Sequence, residues 1–444
     1  MSIMKVGYAR KEITPQESVP LAGYGNTSQR LSETILDPLY ATCIAFVNDA
    51  GERALLYTID LIHAGHTTES QVRPAISEAT GIPVSHIHVS ATHTHAAPDT
   101  TNTTVPTVDA YLELFKTQMV AAGVEALADV KDAQLFMTGT NTYHLNFVRH
   151  YLTVDGTYAG SNFGDLTKEL VGHESEPDTR MQLAKIVREG GKDIIICNYG
   201  VHQTHTGGQL KHEVSADIVG VIRSEMEQET GCLFAYFTGA CGNVVPSSKI
   251  EGENVVPAGN HKEHGKALAQ VALSALKELA PASFGAIRAR TATHVANINH
   301  TTDHLEAQAK EVYDLYIQTN DRPAANKLAR QKYGFSSVYH AGAILNRMKK
   351  PATKELILDT LAVGDLAFVL APYEMFAGNG IYIREKSPFP MTMVLTLANR
   401  PPYGYLPTRK GFEYGSYEGD TCWFEPGIGE DLADRYVEML HDMK

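Results

Sequence analysis

The chain has 444 residues, 43% of them hydrophobic and 20% charged, and a formal net charge of −13. That length suits one large domain or two smaller ones, and the acidic balance argues against a nucleic-acid partner, which selects a basic stripe. No window reaches the roughly 18 apolar residues of a membrane span, and the N-terminus lacks the charged-then-apolar pattern of a secretory leader.

Val6, Tyr8 and Ala9, alternating with polar residues, predict a first strand. "YATCIAFVND" and "RALLYTIDLI" predict two more, and "HIHVSATHTHAAPD" (from His86) reads as a strand running into a proline-broken loop. From Thr107 onward, Tyr111, Phe115 and Met119 recur on one face of a helix. "KDIIICNYGVH" is apolar enough to be a strand buried on both sides. "SADIVGVIRSEMEQETG" predicts a helix with Ser215 as N-cap and Gly231 as C-cap. "GCLFAYFTGACGNVVP" predicts a buried strand entering a glycine-rich turn, and "HKEHGKALAQVALSALKEL" a helix. Residues 302–350 read as mostly helical, with "NRMKK" near Lys349 as a solvated helix end. "TKELILDTLAVGDLAFVLAP" predicts a strand pair, and the stretch from Glu430 to Met443 a closing helix. Cys43, Cys197, Cys232, Cys241 and Cys422 are scattered through apolar runs and read as free buried thiols of a cytoplasmic protein. Buried strands followed by helices predict an α/β or mixed α+β fold, with layered mixed sheets flanked by helices in a single domain spanning residues 1–444.

The unusual residues stand at predicted strand exits: His93 and His95 after one, His202 and His205 after another, Glu374 after a third. Two histidines at i, i+2 in extended chain face the same way. Imidazoles and a carboxylate converging from separate strands suit a zinc ion; alternatively they cap strand ends. His205 and His212 lie in a polar loop where histidines are usually solvated, and His86 and His88 are expected to face polar partners within the fold. Ser215 is either a helix cap or a nucleophile at a helix N-terminus; no G-x-S-x-G elbow surrounds it. Tyr403, Tyr405, Tyr414 and Tyr417 sit in an aromatic block that is either a surface loop or a source of phenol groups for a site.

Taken together, "VGYARKEITP", "SATHTHAAPD", "NFVRHY", "NYGVHQTH", "EVSADIVG", "GACGNVVP", "LAPYEMFAG" and "YLPTRKGFEYGSYEG" resemble, in order, the blocks of the neutral/alkaline non-lysosomal ceramidase catalytic domain. The resemblance implies one catalytic zinc held by His93, His202, Glu374 and Tyr405. It places His95, Arg149 and Tyr417 around the reaction centre and Ser215 at the family's active-site serine. It implies hydrolysis of an amide bond in a small-molecule substrate. The family's His-Ser-Gly-Pro-Gly is His95-Ala96-Ala97-Pro98-Asp99 here, and its Gly-Glu-Phe-Thr is Tyr373-Glu374-Met375-Phe376. The family's signal peptide and C-terminal β-sandwich domain are expected to be missing. Metal positions are kept while substrate-side positions differ, so the substrate need not be ceramide. The alternatives are a metal-dependent hydrolase or lyase acting on a polar, sugar-like or ester substrate, and a non-catalytic zinc-containing binding protein.

Overall fold

The computed structural model describes residues 4–24, 27–102, 105–208 and 210–444. Residues 1–3 of the N-terminal stretch and Gln209 of the loop between His202 and His212 lie outside the described residues. The elements that frame the site are β1 (Met4–Glu12), β2 (Tyr40–Asn48), β3 (Arg53–Ile59), α1 (Arg73–Thr80), β4 (Ile87–Ala91), α2 (Pro106–Ala128), β5 (Lys131–Asn141), β6 (Arg180–Arg188), β7 (Ile194–Tyr199), α3 (Asp217–Thr230), β8 (Leu233–Thr238) and α4 (His261–Ala275). Their strands form one sheet in the order β8-β7-β6-β5-β1-β2-β3-β4, with Ala280–Ala282 also pairing on β5. Only the end pairs, β3–β4 and β7–β8, are parallel. Parallel neighbours need a crossover, which α1 and α3 supply.

A second sheet follows the order β9 (Ile287–Asn297), β10 (Thr353–Val363), β11 (Leu366–Ala371), β12 (Met391–Thr396). Period-two alternation lets one apolar strand serve two layers. In β7, Ile194 and Ile196 pack with Leu361, Phe368 and Met393 of the second sheet, whereas Ile195 and Cys197 face Ile218, Ile222 and Leu268 of α3 and α4. The predicted face of α2, Tyr111, Phe115 and Met119, packs on Cys43, Leu55 and Tyr57. Leu356, Leu358 and Val369 pack with Leu432 and Tyr436 of the closing helix, Ile428–His441. The result is a helix–sheet–sheet–helix stack of mixed α/β type. The strand pair β10–β11, the buried β7 and the five buried free cysteines match the sequence reading.

Three expectations are corrected. The α3 helix begins at Asp217, with Ala216 as N-cap. Asp217 adopts a left-handed φ of 54°, and its own carboxylate accepts the Ile218 N–H at 2.8 Å, so it does part of the capping expected of Ser215. The "NRMKK" segment is not simply a solvated end. Arg347 is buried and donates to the carbonyls of Asp420 (2.7 Å) and Cys422 (2.9 Å), tying the helical segment to the chain beyond the tyrosine block. His205 is buried, not solvated, although His212 stays partly exposed.

The edges of the larger sheet approach one another. Thr58 Oγ1 of β3 donates to the Tyr236 carbonyl of β8 at 2.6 Å, and Thr238 Oγ1 donates to the Thr92 carbonyl at 2.7 Å. This curl brings the exits of β4 and β7 side by side, although six steps of the sheet order separate the two strands.

Candidate metal centre

His93 and His202 each sit a few residues past the end of a strand. The segment after β4 lies alongside the segment after β7: Thr94 and Gln203 form a parallel bridge, and the His95 N–H donates to the Gln203 carbonyl at 3.1 Å. His93 is not in extended chain. It takes a left-handed φ of 67°, so the convergence of His93 and His95 comes from a turn rather than from strand pleating. Their rings still meet edge to face, with centroids 4.8 Å apart and the two Nε2 atoms 3.3 Å apart. His202 packs against both, at 4.7 Å from His93 and 5.7 Å from His95. One ligand atom from each of these three histidines can lie within 4.8 Å of the others.

Glu374 arrives from the second sheet. The β12 exit is anchored to the β4 edge, where Asn399 Oδ1 accepts the Val89 N–H at 2.9 Å. Glu374–Met375 pairs in parallel with Tyr405–Leu406, bringing Tyr405 beside Glu374. Glu374 Oε2 lies 3.2 Å from His202 Nε2 and 3.5 Å from His93 Nε2. The turn after β8 braces this arm: the Gly242 N–H donates to the Met375 carbonyl at 2.7 Å. A Cβ on Gly242 would stand 2.2 Å from the Glu374 carbonyl oxygen, which only glycine avoids.

The hydrogen bonds fix the ring tautomers. His93 Nδ1 lies 2.8 Å from the Ile62 carbonyl, and His202 Nδ1 lies 2.7 Å from the Cys241 carbonyl. A carbonyl only accepts, so both Nδ1 atoms carry hydrogen and both neutral rings aim an Nε2 lone pair inward. Two imidazole lone pairs and a carboxylate oxygen then face one another. Such a set wants a cation between its members, and backbone carbonyls holding the far nitrogens are the usual outer support of metal-binding histidines. Burial lowers His202 to about 4, and the nearby Arg149 cation adds to this. Burial also drives His95 well below its ordinary value. For Glu374 burial acts upward, but the facing His202 and His93 rings outweigh it and hold the carboxyl well below its usual range. A neutral His202 imidazole beside an ionised Glu374 carboxylate is the protonation pattern that a divalent metal requires, so the donor set fits a divalent metal ion.

Around this cluster stands a second, charged layer. Arg149 donates through Nη2 and Nε to Glu418 Oε1, at 2.6 and 2.8 Å, and through Nη2 to the Gly242 carbonyl at 2.9 Å. Its guanidinium lies 5.4 Å from the Tyr405 ring centroid. His150 donates to the other Glu418 oxygen at 2.9 Å and meets the Tyr414 hydroxyl at 2.6 Å. Burial would raise Glu418, but the charges of His150 and Arg149 bring it down to about 2. Tyr417 lies 5.8 Å from Tyr405, ring to ring, and burial pushes its phenol up. Tyr403 instead packs on Tyr373 and Trp423.

Ser215 is fully buried and committed elsewhere. Its hydroxyl donates to Asp37 at 2.6 Å and accepts the Asp217 N–H at 2.9 Å. Its backbone touches the histidine segment: its N–H donates to the Ala96 carbonyl, and its carbonyl accepts from Thr94 Oγ1 at 2.6 Å. His205 bonds His264 at 2.9 Å and accepts the Gly259 N–H at 3.0 Å.

Some neighbours carried no sequence signal. Gly23, with φ 101°, and Gly207 flank His95; a Cβ would lie 2.5 Å from the His95 ring at Gly23 and 2.8 Å from its Cβ at Gly207. Glu418 and His150 were equally silent, because a buried ion pair between distant positions has no local pattern. The "NYGVHQTHTGG" glycines were visible, but their partner ring was not.

Comparisons with protein-family models and with curated protein sequences find no match. Among solved structures, the chain superposes with a TM-score of 0.73 and 16% identity on a crystal structure of neutral ceramidase from Pseudomonas aeruginosa, covering 100% of this chain and 75% of that one. A ceramidase complexed with C2 matches with the same values. The chain therefore has the neutral ceramidase fold.

Proposed function

We propose that the chain is a zinc-dependent hydrolase of the ceramidase type that cleaves an amide bond, with a substrate other than ceramide within its range. The reading rests on one observation above all: two imidazole lone pairs, fixed by backbone carbonyls, converge with the Glu374 carboxylate. His93, His202, Glu374 and Tyr405 would hold the ion. When bound, it supplies Lewis acidity to the scissile carbonyl and a nucleophile at neutral pH. His95, neutral and with Nε2 facing the cluster, accepts a proton and passes it to the leaving amine. Arg149 and Tyr417 donate to the developing oxyanion, where charge appears in the transition state. Glu418 keeps the Arg149 guanidinium aimed by accepting from two of its nitrogens. Ser215 would have to leave Asp37 to act as a nucleophile, so its part is positional: it holds the segment carrying His95.

The test is hydrolysis by zinc-loaded protein across matched N-acyl amides, esters and glycosides. Amide cleavage that falls about 100-fold or more in His95→Ala supports the reading. Zinc binding with no hydrolysis in any class would leave a metal-containing binding protein instead, and ester or glycoside turnover without amide turnover would move the chain to a different reaction.

A further inference from the structure

Beside the charged layer lies a cleft of about 310 Å³, lined by Arg149, Tyr151, Thr204, His205 and the segment from Val245 to Lys249. Arg149 belongs to both places: it lines the cleft and lies over the Tyr405 ring. Val245 follows the residue whose carbonyl holds His202, so the cleft wall and the metal centre share one turn. The volume is at the small end for ligand pockets. The hydroxyls of Ser161, Thr204, Ser247 and Ser248 join two cations, Arg149 and Lys249, and no carboxylate lines it. Ser247 Oγ is closed off from solvent and has no hydrogen-bond partner. Glu418 neutralises Arg149, and the nearby Glu253 is engaged by His173 at 2.8 Å, which leaves the exposed Lys249 as the cation at the rim.

We propose that this cleft receives the part of the substrate beyond the scissile bond, and that it selects a compact polar group bearing a carboxylate over an alkyl chain. The inference rests on the hydrolase reading for its place in catalysis, but the binding site stands on its own lining. An alkyl chain here would offer no partner to the lining hydroxyls or to the Lys249 ammonium. A carboxylate would satisfy both, since an ionised acceptor makes the stronger hydrogen bonds.

The test is calorimetric binding of N-acetylaspartate, its diamide and dodecanamide to the full chain, with and without prior metal chelation. The expected result is binding of N-acetylaspartate that survives chelation, exceeds that of the diamide, and weakens about three- to tenfold in Lys249→Ala and in Ser247→Val. Lys249 is exposed, so its variant folds. Binding that vanishes on chelation and ignores both variants would place the carboxylate on the metal and overturn the cleft assignment while leaving the hydrolase reading intact. Preference for dodecanamide would overturn it in favour of an acyl-chain pocket. Carboxylate binding of the expected kind by a protein that never takes up zinc would uphold the cleft and defeat the hydrolase reading.

Discussion

At the scale of single residues, the site separates groups that hold from groups that react. Tyr417 neighbours the proposed ligand Tyr405, ring to ring at 5.8 Å, but is not one of the four groups proposed to hold the ion. Tyr417→Phe should therefore retain zinc and lose roughly 100- to 1,000-fold in kcat, the usual effect of removing one oxyanion donor; a variant with unchanged kcat would remove Tyr417 from the reaction. Glu418 is a holding residue. It is buried and accepts from both Arg149 and His150. Glu418→Gln leaves a buried guanidinium short of its counter-charge, so chemical denaturation should read a loss of about 3–5 kcal/mol, and a loss near zero would mean that solvent already screens the pair. His93 and His202 were legible in the sequence because histidine directly after an apolar strand is unusual. The left-handed turn at His93 was not legible, because nothing in the residue name signals φ 67°. Ser215 was read as either cap or nucleophile; its bond to Asp37 comes from a residue 178 positions away, which no local pattern reveals.

At the scale of elements, the glycine-rich turn after β8 joins the two sheets. It carries the carbonyls that bind His202 Nδ1, accepts from Arg149 at Gly242, and donates to Met375 beside Glu374. Gly242→Ala forces the Glu374 backbone away, because its Cβ would stand 2.2 Å from the Glu374 oxygen. That substitution should cost about 1–3 kcal/mol of stability and weaken metal affinity about 10- to 100-fold, read by competition with a chelating dye; unchanged affinity would show that Glu374 does not contribute to binding. β4 and α2 were clear from sequence because their apolar residues keep a strict period, and β7 because its apolar run is unbroken. β5, β6 and β9 were not proposed, and their runs, such as "KDAQLFMTGTN" and "IRARTATHVAN", mix polar with apolar positions because one face meets solvent or a partly covered layer. The α3 start shifted by one residue, from Ser215 to Ala216 as N-cap, because Asp217, not Ser215, supplies the bend.

At the scale of the whole molecule, the stack brings chain segments far apart in sequence into one centre: Val89 bonds Asn399 across 310 positions, and Arg149 bonds Glu418 across 269. Layering was readable from alternating strands and helices, whereas the curl that joins the two sheet edges depends on tertiary bonds such as Thr238 to Thr92. Among the described residues, no helix is long and apolar enough to cross a membrane. Acid should destabilise this fold in stages. Burial lowers His88 and His264 from 6.5 to about 3, so between those values the unfolded chain binds protons that the folded chain refuses. Stability from these groups is present above pH 6.5 and falls as pH drops. Glu418, lowered from 4.5 to about 2, adds a loss in the same direction below pH 4.5. Urea midpoints measured from pH 8 to pH 4 should decline, most steeply at the acid end; a flat profile would mean these groups titrate alike in both states. The most direct measurement on the central claim is elemental analysis of the purified protein after zinc loading and dialysis, alongside His93→Ala and His202→Ala with circular dichroism as the folding control. The account predicts one zinc per native chain and none in either folded variant; a native chain that retains no zinc, or variants that bind it as the native chain does, would contradict it.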